Sequence, residues 1–169
     1  QGEINSEVEK VLEEFVIKGG RLVLFPSETK SSNISKLFSW DPLEEKQKDE
    51  FFLVNNWRED SGILANSSDG NRLPLDRLEI KRRRTPKQGE TLAYYSDGKP
   101  FLSSLTLGQG VIYAFSTLPI DSWSSMSNGY VIVPAIQRLI EESSSANSFV
   151  QSWFCGEKES KEPTLFEPI

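Results

Sequence analysis

The feature that most constrains this chain is a helix, a glycine pair and a strand in immediate succession, "LEEFVIKGGRLVLFP". Ser6 followed three residues later by Glu9 forms a capping box, and Val8, Val11, Leu12, Phe15 and Val16 recur at helical spacing, so a helix is predicted from about Ser6. Gly19 and Gly20 end it. "RLVLF", residues 21–25, is an almost unbroken apolar strand, the pattern of a strand buried on both faces of a parallel sheet. A helix followed by such a strand implies a crossover from an earlier strand in the same sheet. Nothing strand-like precedes the helix, so either a later segment lies beside residues 21–25 or the neighbour lies upstream of Gln1. The second is the expectation.

Further along, "NISKLFSW" predicts a short helix with Leu37, Phe38 and Trp40 inward, "LEEKQKDE" a solvated charged stretch, "FFLVNNW" a strand and "SGILANSS" a helical turn. "LEIKRRR" from Leu78 reads as a strand. Asp97-Gly98 sits between two strand-like runs, "TLAYYS" and "KPFLSSL", a hairpin signal because primed turns need positive φ. "LGQG" makes a second turn into "VIYAFST", a central strand. A helix is predicted from about Gly129 to Glu142, with Val131, Ile132, Ala135, Ile136, Leu139 and Ile140 on one wide face and Pro134 confined to its first turn. "FVQSWFC" reads as a last edge strand and the remainder as a tail. The chain is thus expected to be one α/β domain over residues 1–148, with an antiparallel hairpin extension, followed by an edge strand and tail over 149–169.

Composition narrows the chemistry. The sequence contains no histidine, which removes the usual base of Ser and Cys nucleophile sites and the usual nitrogen ligand of zinc. The single cysteine, Cys155, has no charge-stabilising partner in "SWFCGEKES" and no internal disulfide partner, and is read as an incidental thiol. A net charge of −6 speaks against nucleic acid or an anionic membrane as the main partner. The longest apolar run, "YVIVPAI", is under half of the ~18 residues a spanning helix needs. The acidic N-terminus carries no signal-peptide pattern, and the compartment is open. No catalytic residue, cofactor or metal is expected, and the partner is expected to be a protein.

Three groups of residues are candidates for a site. The loops after the two central strands lie where open α/β sheets hold ligands, which singles out Ser27, Glu28, Ser116 and Asp121 for a small-ligand or hydrolytic site. "NNWREDSG" offers Trp57 and Arg58 as interface anchors, unless Trp57 plugs the core and Arg58 pairs locally. Arg82 and Arg83, in the run Lys81–Arg84, offer phosphate or acidic-partner contacts; strand alternation sends them to opposite faces, and an edge strand guarded by charge explains them without a ligand. "GQG" at 108–110 precedes a strand, the wrong order for a dinucleotide loop.

Three stretches together resemble a family. "LEEFVIKGGRLVLFP" resembles the helix–Gly-Gly–strand unit of class I glutamine amidotransferase-like domains. "LANSSDGNRLPLDRLEIKRR" and "GQGVIYAFSTLPIDSWSSMSNGYVIVPAIQRLI" resemble the version in BatA-like bacterial membrane proteins of the aerotolerance-regulator type. The resemblance implies a flavodoxin-like, amidotransferase-like three-layer domain, lacking its N-terminal strand, in a membrane-anchored protein and on the extracytoplasmic side. Amidotransferases of this kind carry a Cys on a nucleophile turn and a His-Glu pair; this sequence departs from that pattern on the Cys context and on His altogether, so a non-catalytic interaction or scaffolding module of a bacterial cell-envelope protein is expected. The membrane would be reached only through segments outside this chain.

Overall fold

The computed structural model describes residues 6–28, 37–60, 62–66, 70 and 72–146. Helix α1 (Ser6–Ile17) leads into strand β1 (Arg21–Leu24). The helix stops where predicted: Gly19, at φ 105°, reverses the chain, while the amides of Gly19 and Gly20 return to the carbonyls of Val16 and Phe15. Then come β2 (Glu44–Glu45), β3 (Val54–Trp57), β4 (Arg82–Arg83), β5 (Glu90–Tyr95), β6 (Pro100–Leu107), β7 (Gly110–Phe115) and helix α2 (Ile132–Ala146).

Five strands form one mixed sheet in the order β1-β7-β6-β5-β3, and β2 pairs with β4 as a separate two-stranded ribbon. Only β1 and β7 are parallel, with Arg21 opposite Val111 and Leu24 opposite Ala114. The rest is an antiparallel meander joined by the predicted turns at Asp97-Gly98 and Gly108-Gln109.

Side chains alternate between the faces of β1 and β7. Leu22, Leu24, Ile112 and Ala114 join Val16 of α1, Phe38 and Trp40 on one face. Val23, Val111, Tyr113 and Phe115 join Val131, Ile132 and Leu139 of the α2 region on the other, in the larger core that also holds Ile80, Tyr95, Phe101 and Met126. Glycine is required where α1 meets the β6–β7 turn: a Cβ on Gly110 would stand 2.0 Å from the Val16 carbonyl oxygen.

The architecture corrects the expected flavodoxin-like, amidotransferase-like three-layer α/β domain. Four of the five strands run antiparallel, two helices serve the whole described chain, and tight turns replace the helical crossovers that a doubly wound sheet needs. The physical reason lies in β5, β6 and β7, whose short glycine turns return the chain at once to the neighbouring strand. Residues 21–25 are corrected too. Among the described residues β1 is a half-buried border strand, packed on both faces but paired along one edge only, with β7, a later segment, at its side.

Smaller differences follow. Of the helix predicted over residues 33–40, residues 33–36 lie outside the described ones and residues 37–40 are not helical; Trp40 makes an isolated bridge with Pro86. The predicted strand from Leu78 pairs regularly only at Arg82–Arg83, with Ile80 bridging Phe52 and Ser124 separately. α2 begins at Ile132, which leaves Pro134 in the first turn, where its missing N–H is harmless. The predicted strand at 149–155 lies outside the described residues.

Candidate interaction surface

The sequence-selected residues do not converge. Ser27 and Ser116 are brought near each other at the ends of β1 and β7 by Arg84, which donates through Nη1 to the Ser27 carbonyl (3.2 Å) and through its backbone amide to the Ser116 carbonyl (2.7 Å). Ser116 is fully buried, and its hydroxyl is held 2.6 Å from the Tyr95 hydroxyl. Burial pushes the Tyr95 phenol well above its ordinary range, so this pair stays neutral and serves the core. Glu28 is exposed beyond them. Asp121 lies elsewhere, accepting from Ser127 at the rim of an open hollow of about 270 Å³ lined by Glu79, Lys81, Ser124, Ser125 and Asn128. Trp57 is buried with the Arg72 guanidinium 4.1 Å from its ring centre, and Arg58 pairs with Glu90.

The basic run is consumed by structure. Arg82 pairs with Glu45 at 2.8 Å, and Arg83, directly behind it on β4, with Glu44 at 2.8 Å. Arg83 is only 2% exposed and lies between two aromatic rings, 3.9 Å from the centre of Phe52 and 4.5 Å from that of Tyr95. Its fork also holds Asp97, which follows β5, while Lys99 closes on Glu44. Burial alone would lower the Arg83 pKa, but the hydrogen bonds it donates to Asp97 and Glu44 outweigh it and hold the cation more firmly than usual. Arg83 hydrogen-bonding holds the Asp97 carboxyl below its ordinary range against partial burial. Burial would likewise raise Glu44, which Lys99 and Arg83 hold down instead. This is a clamp joining β2, β4 and the β5–β6 turn. Its cation has little surface for a phosphate to reach.

Among the described residues, no strand pairs with the outer border of β1. Val111 donates to the Gly20 carbonyl at 3.2 Å, so by the alternation of a parallel ladder Leu22 and Leu24 address β7 while Arg21 and Val23 turn their backbone groups outward. The border carries Leu22, Val23 and Leu24, with neither bulge nor proline to blunt it. The opposite border is managed: β3 is short, kinked by a register shift between Val54 and Asn56, and shows two exposed asparagines.

Both helices project apolar flanks beside the bare border. On α1, Val8, Val11 and Phe15 are exposed, Val11 by 65%, and the Phe15 ring lies against Gly20, the residue before β1. On α2, Val133 and Ile136 are exposed by 53% and 44%, and Ile140 is exposed as well. Arg138, on the other flank of α2, reaches the Ile63 carbonyl in the segment after β3, so the apolar flank turns the opposite way, toward β1. The result is a slot with a strand border at its base and an apolar helix flank above and below.

The sequence pattern places Val8, Val11, Phe15, Ile136 and Ile140 on the apolar faces of their helices, and does not single out Val133. The available signal was width: both helices carry an apolar sector broader than one packing contact uses.

No protein-family model matches the chain, and no curated protein does. Among solved structures the chain is similar to a β-galactosidase from Bacillus circulans sp. alkalophilus, with a TM-score of 0.55 at 17% identity over 81% of this chain. It is also similar to a β-galactosidase from Rahnella sp. R3, with a TM-score of 0.56 at 12% identity over 80% of this chain. The likeness is one of fold. The chain spans about a fifth of the length of either enzyme, 21% in both cases. Among the described residues, no helix is long and apolar enough to cross a membrane, and no cluster of three or more His, Cys, Asp or Glu side chains is arranged to hold a metal ion.

Proposed function

We propose that this chain is a non-catalytic interaction module whose working surface is the slot at the β1 border. The observation that carries the reading is the coincidence, in one place, of backbone groups on β1 that no described residue pairs with and two charge-free apolar helix flanks. Exposed apolar surface of this extent on a soluble domain marks a place where another polypeptide sits, and a bare strand border selects an extended segment as the thing that sits there. A bacterial cell-envelope setting, with membrane attachment through segments other than the described ones, is supported by the sequence resemblance of the three stretches alone.

Catalysis at the strand ends is the rival. Ser116 is spent on Tyr95, Asp121 lies in a separate hollow, and neither faces a base. The β-galactosidase activity named for the structural neighbours belongs to chains about four times as long and is not extended to this one. The test has two arms. Binding of a hydrophobic fluorescent dye should fall when Val11 and Val133 are changed together to Glu. The purified chain should show no amidase, esterase or glycosidase turnover. Turnover that disappears with Ser116→Ala or Asp121→Ala would sink the reading.

A further inference from the structure

The slot specifies its occupant closely. We infer that it is filled by the same slot of a second copy of this chain, the two β1 strands pairing antiparallel about a two-fold axis to make one continuous sheet. This rests on the reading of the slot as an interaction surface and names the partner.

Self-pairing fits for three reasons. First, the outward groups of Arg21 and Val23 suit an antiparallel ladder centred on Val23, in which each Val23 exchanges both backbone hydrogen bonds with its counterpart. Arg21 then lies opposite the partner's residue 25 position, away from the other Arg21, so no like charges face each other. Second, a two-fold axis normal to the sheet sets α1 beside its own copy on one face and α2 beside its own copy on the other. Each flank meets an identical apolar flank, which is the self-complementarity an isologous interface requires. Neither the Val8–Val11–Phe15 sector nor the Val133–Ile136 sector contains a charged residue, in a chain whose net charge of −6 would otherwise oppose self-association. Third, the area is adequate. The exposed fractions of the flanking side chains amount to on the order of 600 Å² per copy before the strand border is counted, against roughly 800 Å² per partner in a stable interface.

The experiment is sedimentation of the chain from about 1 to 200 μM, with amide exchange followed at Val23. The expected result is a mass rising from 19.1 kDa to twice that value, with Val23 exchange slowed at least about tenfold in the heavier species. Val11→Glu and Val133→Glu should each weaken association at least about tenfold while leaving the circular dichroism spectrum unchanged. Leu53→Glu, an exposed apolar position just before β3, should leave association as it was. A monomer at every concentration overturns the inference, and so does a dimer indifferent to both flank substitutions. The Val23 amide tells the two failures apart. Rapid exchange in a monomer removes the second copy and leaves the slot open to a different chain. Slow exchange in a monomer puts a strand of the same polypeptide there and removes the interaction surface as well.

Discussion

Arg83→Met tests the clamp that joins the β2–β4 ribbon to the main sheet. The substitution keeps an unbranched apolar stem between Phe52 and Tyr95 but deletes the guanidinium, which donates to Glu44 (2.8 and 3.1 Å) and Asp97 (3.1 Å) and stacks on both rings. Breaking a buried ion pair typically costs about 3–5 kcal/mol when it strands a buried charge. Here the stranded groups are carboxylates whose side chains are 33% and 45% exposed, so they rehydrate and the cost falls below that range. Adding back about 1 kcal/mol for the lost cation–ring contacts gives a net loss of about 3 kcal/mol. Over a domain of this size that corresponds to roughly 6–12 °C in Tm.

The complementary variant, Glu44→Gln with Asp97→Asn, leaves the charge on the 2%-exposed guanidinium with no counter-charge and should cost more than Arg83→Met. Urea unfolding read by tryptophan fluorescence and by far-ultraviolet circular dichroism measures both. The sign of the pH dependence follows from the same contacts. Glu44 and Asp97 titrate below their ordinary range in the folded chain, so the unfolded chain binds more protons as the solution is acidified. Their contribution is complete above the unfolded carboxylate range of about pH 4 and is lost as pH falls through the lower folded values. Arg83→Met should flatten that acid arm. A loss under 1 kcal/mol, or an Arg83→Met variant less stable than the double carboxylate variant, would refute the reasoning.

Two further changes probe how the helices and loops seat on the sheet. Gly110→Ala places a methyl 2.0 Å from the Val16 carbonyl oxygen and 2.4 Å from that of Gly20, so α1 must lift from the β6–β7 turn. A loss of more than about 2 kcal/mol, with faster amide exchange along α1 than in β5 and β6, is the expected outcome in hydrogen-exchange measurements. Trp40→Phe removes the buried Nε1–H that donates to the Phe115 carbonyl at 2.9 Å and leaves that oxygen without this donor. Thermal unfolding should register about 1–3 kcal/mol, well above the effect of a surface substitution.

Local signals in the sequence located what they govern. The Ser6–Glu9 box and the glycine pair bound α1, Asp97-Gly98 set the β5–β6 hairpin, and the apolar run from Gly110 became β7. What escaped depends on contacts between distant residues. An apolar run such as Arg21–Leu24 has the same composition whether its second neighbour is present or missing, so its place at the border of the described sheet could not be read from it. Arg83 read as a solvated or paired charge guarding an edge strand; its burial requires Glu44 from 39 residues earlier and two aromatic rings that no spacing rule connects to it. Ser116 follows β7, but its hydroxyl is committed to Tyr95, a pairing visible only once β5 and β7 share a sheet. The apolar flanks were legible as apolar. Which side of each helix would face the sheet was not.

The kink between Val54 and Asn56 has a consequence for how far any assembly can grow. A protomer sealed at one rim and adhesive at the other has a single valence, and joining two such rims spends it completely. The product is finite, with the two crimped rims facing outward. Straightening that rim would give each protomer two adhesive ends, and the same chemistry would then polymerise without limit.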